Sequence, residues 1–118
     1  MIKGIGIDLI ELNRIEKSIQ KNERIVARIL TKKERQTYEQ FTSQRRKVEF
    51  LAGRFAAKEA FAKANGTGIG ELSFQHIEIL TNVHGAPKIM AKGYERDKLF
   101  VSISHSDTYA IAQVVITH

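Results

Sequence analysis

Two carboxylates in this chain stand where small or apolar residues are expected. Asp8 follows Gly4 and Gly6 at alternate positions of GIGIDL. In an extended strand these three share one face, while Ile5, Ile7 and Leu9 take the other. A glycine face lets another backbone or a ligand approach closely. Asp8 closes that bare stripe at the strand end. It is either a cap for the helix that follows or a metal-binding or acid–base carboxylate at a strand terminus. The second carboxylate is Glu59, in FLAGRFAAKEAFAKANGTGIG. At about 100° per residue it shares a helix face with Val48, Leu51, Phe55 and Ala62. An ionised carboxylate among apolar side chains needs a cation, a metal ion or a proton. Lys63, one turn on, could supply a structural ion pair; the alternative is a functional group.

Other residues could also do chemistry. Arg54 and Lys58 lie one turn apart on a flank of the Glu59 face. Gly66, Gly68 and Gly70 form GTGIG, whose backbone N–H groups could approach phosphate oxygens. That loop follows a helix, whereas phosphate loops precede one, so it also reads as a simple reversal. His105 ends an apolar stripe, Val101 and Ile103, on a late strand. His76, His84 and His118 have no such company.

The elements that position these groups follow from periodicity. Ile2 to Leu9 reads as a strand. Leu12, Ile15 and Ile19 mark a helix whose outer side carries Arg14, Lys17 and Lys21. A short helix over Ile25 to Leu30 follows, with Arg24 and Arg28 outward. Thr31 to Glu34 matches a capping box and starts a helix to about Phe41. Thr42 and Ser43 supply a break and a new N-cap. The central helix then runs from about 43 to 64, roughly 30 Å, with a second apolar stripe of Phe50, Ala57, Phe61 and Ala64. Arg45, Arg46 and Lys47 in its first turn oppose the helix dipole, which hints at an anion nearby. Asn65-Gly66 caps its end. Strands are expected over Leu72 to Leu80, from Pro87 to Ala91, over Leu99 to His105 and over Tyr109 to Ile116. The turn Asn82 to Pro87 joins the first two and Ser106-Asp-Thr the last two. Lys92 to Lys98 is ambiguous, with one helical turn as its reading. The order is a strand, helices around one long helix, then an antiparallel β-rich half, which makes a single α+β domain over residues 1–118.

Composition bounds the chemistry. The chain has 118 residues, 42% hydrophobic and 27% charged, which suits a globular protein. It has no cysteine, which excludes disulfides and thiolate chemistry and fits a reducing compartment. No apolar run reaches a membrane span. Asp8 and Glu11 interrupt the first segment, so it does not read as a signal peptide. A cytoplasmic location is expected. The net charge of +6 favours an anionic partner.

Four segments, GIGIDL, FLAGRFAAKEAFAKANGTGIG, NVHGAPKI and VSISHSDTYAIAQVV, together resemble the holo-acyl-carrier-protein synthases. These are the short, trimeric class of 4′-phosphopantetheinyl transferases. The resemblance runs nearly end to end, weakest over Lys92 to Lys98. It implies transfer of the phosphopantetheine arm of coenzyme A to a serine of apo acyl carrier protein, with adenosine 3′,5′-bisphosphate leaving, in fatty acid biosynthesis. It implies Mg²⁺ held by Asp8 and Glu59, and Lys63 stabilising charge or moving a proton. It places Arg54, Lys58 and His105 near coenzyme A, with Gly66 and Gly68 shaping its cleft. The base for the serine stays open between Glu59 and a water on the metal. Arg14, Arg24 and Arg28 correspond to a docking surface for the acidic carrier protein. A homotrimer with sites between subunits is expected, with no nucleic acid or membrane partner. The competing reading of the charge is a basic RNA-binding protein, but the aromatic residues fall mostly at core positions, with no stacking platform. A transferase of the same superfamily acting on a peptide- or polyketide-synthase carrier domain is the third reading.

Overall fold

The computed structural model describes residues 1–66, 68 and 73–118. Strand β1 (Ile2–Glu11) leads into helices α1 (Leu12–Lys21), α2 (Arg24–Ile29), α3 (Lys32–Gln40) and the long α4 (Gln44–Asn65). Strands β2 (Ile77–Thr81), β3 (Pro87–Ala91), β4 (Lys98–His105) and β5 (Tyr109–Thr117) follow. The architecture is α+β, as expected. A three-stranded antiparallel sheet has the order β1-β5-β4, and β2 and β3 form a separate antiparallel pair.

Helix α4 packs on the inner face of the three-stranded sheet, and the glycines of β1 explain how close it comes. A Cβ on Gly4 would lie 1.9 Å from the Ala64 carbonyl oxygen, and one on Gly6 would lie 1.8 Å from that of Ala60. The bare stripe therefore receives a helix backbone. Ala110, Ala112, Val114 and Ile116 of β5 complete the core beneath α4. The opposite face of β1 is open: Ile5, Ile7 and Leu9 are 55%, 53% and 57% exposed.

The caps form as the sequence implies. Thr31 and Glu34 make a reciprocal capping box, and the Ser43 hydroxyl accepts from the Arg46 N–H. Gly66 ends α4 in the left-handed conformation, at φ +84°.

Three expectations are corrected. Strand β1 continues past Asp8 to Glu11, so Asp8 sits inside the strand, and Glu11 rather than Asp8 is the N-cap of α1. The strand expected from Leu72 begins at Ile77: Ser73 Oγ accepts from the Gln75 N–H and winds Phe74–His76 into a 3₁₀ turn. Leu72 and Gly70 lie outside the described residues. The segment from Lys92 is not a helical turn but two tight turns, closed by Tyr94 N–H to Ala91 O and Asp97 N–H to Tyr94 O.

Candidate active site

Asp8 comes from β1 and Glu59 and Lys63 from α4, and the glycine-mediated contact between those elements brings them together. The Lys63 ammonium lies 3.0 Å from Asp8 Oδ1 and also donates to the Ile7 carbonyl at 3.0 Å. Of the two readings of Glu59, the ion pair with Lys63 does not form; Lys63 pairs across the helix–strand contact with Asp8. A strand carboxylate with a largely buried side chain is a better partner than a neighbour on the same helix. Glu59 is partly buried. Burial and the negative Asp8 beside it both raise its pKa above the ordinary carboxylate value, and Lys63 only partly offsets them. The site is therefore two carboxylates near one ammonium, which pairs with Asp8, while the pKa of Glu59 is raised.

A divalent cation fits this arrangement. Two acids with one exposed lysine carry excess negative charge, and the repulsion felt by Glu59 is what a cation would relieve. Among the described residues no three His, Asp or Glu side chains converge as a protein cage. Mg²⁺ does not need one: one or two carboxylates suffice when phosphate oxygens and waters complete its shell.

The structure parts Arg54 and Lys58 from this centre. Lys58 is 0% exposed. Its ammonium spends its three hydrogens inside the core, on Glu34 Oε1 at 2.6 Å, Ile29 O at 2.6 Å and Phe74 O at 3.0 Å. Burial pulls its pKa down and Glu34 opposes the shift. The expected coenzyme A contact of Lys58 is thereby corrected, since no donor is left and no solvent reaches it. Arg54 is also buried. It donates to Ile79 O and Thr81 Oγ1 and lies over the Phe50 ring, 4.2 Å from its centroid. Arg54 ties α4 to β2, and Lys58 ties it to α2, α3 and the turn before β2.

Glu34 was not foreseen as Lys58's partner. Its capping-box role was legible, but one carboxylate also accepts from the Ile79 N–H at 2.8 Å, and no local pattern announces a partner 24 residues away. His105 lies apart from Asp8 and Glu59 in sequence and element, at the end of β4. It is half-exposed, with Nδ1 3.6 Å from Glu49 Oε2. Gly68, at φ +72°, donates to Ala62 O just past the end of α4. Arg14, Arg24 and Arg28 are all exposed on α1 and α2.

Known proteins bear out the resemblance. The 4′-phosphopantetheinyl transferase superfamily pattern matches residues 4–114. A holo-[acyl-carrier-protein] synthase of Oceanobacillus iheyensis is 58% identical over 116 residues, 98% of this chain and 97% of that protein. One of Enterococcus faecalis is 52% identical over 116 residues, 98% of this chain and 97% of its own. Among solved structures, a holo-(acyl-carrier-protein) synthase of Bacillus anthracis in complex with CoA (3′,5′-ADP) superposes with a TM-score of 0.90 at 49% identity, covering 99% of this chain and 97% of that one. A Helicobacter pylori holo-[acyl-carrier-protein] synthase in complex with coenzyme A gives 0.83 at 36%, covering 96% and 99%. With matches that span the chain in sequence and in fold, this protein belongs to the 4′-phosphopantetheinyl transferase superfamily, among the holo-[acyl-carrier-protein] synthases.

Proposed function

We propose that this chain, as one transferase domain over residues 1–118, moves the 4′-phosphopantetheine group of coenzyme A onto a serine of apo acyl carrier protein in fatty acid biosynthesis. The observation that carries the reading is the Asp8–Lys63–Glu59 cluster, in a fold like that of a relative bound to coenzyme A. The serine oxygen forms a bond to the phosphorus bearing the pantetheine arm. The bond from that phosphorus to the bridging oxygen breaks, and the electron pair leaves with adenosine 3′,5′-bisphosphate. Glu59, with its raised pKa, is suited to take the serine proton. Lys63 lies beside Asp8 and is exposed enough to face a phosphate. Asp8 and Glu59 would hold Mg²⁺, which when bound neutralises charge on the pyrophosphate oxygens.

Arg14, Arg24 and Arg28 form the docking surface for the acidic carrier protein; exposed cations of this kind mainly speed and orient encounter. Gly66 and Gly68 shape the cofactor cleft. The open face of the three-stranded sheet, with Ile5, Leu9, Phe100 and Ile111 exposed, is the contact between subunits of a homotrimer. The reaction is assigned to the cytoplasm, which a cysteine-free chain fits. Among the described residues no helix is long and apolar enough to cross a membrane.

The test is release of adenosine 3′,5′-bisphosphate from coenzyme A, with and without apo carrier protein and Mg²⁺. Release that needs all three supports the reading. Release without acceptor, or none at all, contradicts it.

A further inference from the structure

A second polar cluster lies where the first turns of α4 meet the end of β4. Its centre is Glu49, whose side chain is only 14% exposed. The Arg45 Nε donates to Glu49 Oε2 at 3.0 Å, and the Arg46 Nε stands 3.9 Å from Oε1. His105 Nδ1 lies 3.6 Å from Oε2, within ion-pair reach when the ring is protonated. Arg45 also reaches across to the β4–β5 hairpin, donating from Nη2 to the Asp107 carbonyl at 2.7 Å. One sheltered carboxylate thus faces two guanidinium groups and an imidazole. Among the described residues, Arg46 and His105 have no other acidic partner. All three bases are about half-exposed or more, so each keeps part of its surface open to solvent.

The backbone sets this meeting. Ile103 Cγ2 would lie 3.0 Å from a Cβ on Gly53, so the missing side chain lets β4 settle against α4. From that contact His105 is two residues along the strand and Glu49 four residues back along the helix. Those steps, about 6.8 Å and about 6 Å, nearly match, which brings the two side chains level.

Resting on the functional reading above, we propose that Glu49 is a positioning residue for coenzyme A. Sheltered at the base of the cluster, it fixes the bearings of His105 and Arg45, so that N–H groups it leaves free meet a phosphate of the nucleotide half. Glu49 itself does not touch the ligand. The sign of its effect makes the idea testable. An acid that is merely near an anion site weakens anion binding, and removing it tightens binding. An acid that holds the donors in place does the reverse: its loss weakens binding, because the donors are no longer preorganised.

The probe is adenosine 3′,5′-bisphosphate, titrated by calorimetry into the wild type, Glu49→Ala and Glu49→Gln. Glu49→Ala is expected to raise Kd about tenfold, and Glu49→Gln, which still accepts from Arg45, to restore most of the loss. In steady state the KM for coenzyme A should rise with Glu49→Ala while kcat and the KM for the carrier protein stay within about twofold, a split that general loosening of the fold would not give. If Glu49→Ala does not fold, Glu49→Gln carries the test, with an expected rise of about two- to threefold in Kd. Unchanged or tighter binding in the folded variants overturns the inference and leaves the functional reading intact. A wild type that binds no bisphosphate overturns both.

Discussion

Lys58 and Glu59 are neighbours on α4 with opposite fates. The lysine is sealed in the core against Glu34, and the glutamate sits partly buried beside Asp8. Removing one partner of a buried pair strands the other, at about 3–5 kcal/mol. Lys58→Ala should therefore lower stability by about that much in a chemical denaturation experiment. A folded variant whose KM for coenzyme A rises with stability unchanged would reinstate Lys58 as a ligand contact. Glu59 behaves differently. Its pKa is raised on folding, so the native chain holds a proton at a pH where the unfolded chain has released it. Stability is thus greatest below the ordinary carboxylate value and falls as pH rises through the raised one. Glu59→Gln should melt higher than wild type above that window and match it below, while turnover drops by about a hundredfold or more. Equal melting at both pH values would contradict the assignment of the shift.

At the scale of elements, the contact of β1 with α4 sets the distance between the two candidate carboxylates. Gly6→Ala puts a methyl group 1.8 Å from a carbonyl oxygen, so the helix must move. The expected cost is at or above the top of the roughly 1–3 kcal/mol range for overpacking, with activity lost even in variants that remain folded. A near-neutral melting curve with full turnover would show that the contact is not needed. Much of this was legible in the sequence: the alternation of GIGIDL exposed the bare stripe, and the capping box and Asn65-Gly66 marked helix ends that form as read. Which object would fill the stripe was not legible, because a glycine face accepts a helix or a ligand equally. Helical periodicity also mislocated the buried charge. It set Glu59 among apolar residues but could not reveal that the flank bearing Arg54 and Lys58 would be covered by α3 and β2, elements remote in sequence.

For the whole molecule, the uncovered face of the three-stranded sheet is the feature that a single chain leaves unexplained. Ile5 lies opposite Val115, Leu9 opposite Ile111, and Phe100 on the far side of Val115, all on one surface. An apolar face of this kind marks an interaction site. Ile5→Asp should leave the isolated fold nearly as stable as before, since that side chain is 55% exposed. By light scattering it should shift the protein from trimer to monomer, with loss of turnover if the sites lie between subunits. A wild type that is already monomeric at micromolar concentration, and active, would contradict the trimer. The whole account meets its most direct test in the intact mass of apo acyl carrier protein after incubation with this protein, coenzyme A and Mg²⁺. The account predicts a single phosphopantetheine adduct on the carrier's serine, absent with Asp8→Ala. Carrier protein that keeps its apo mass with the folded wild type would contradict it.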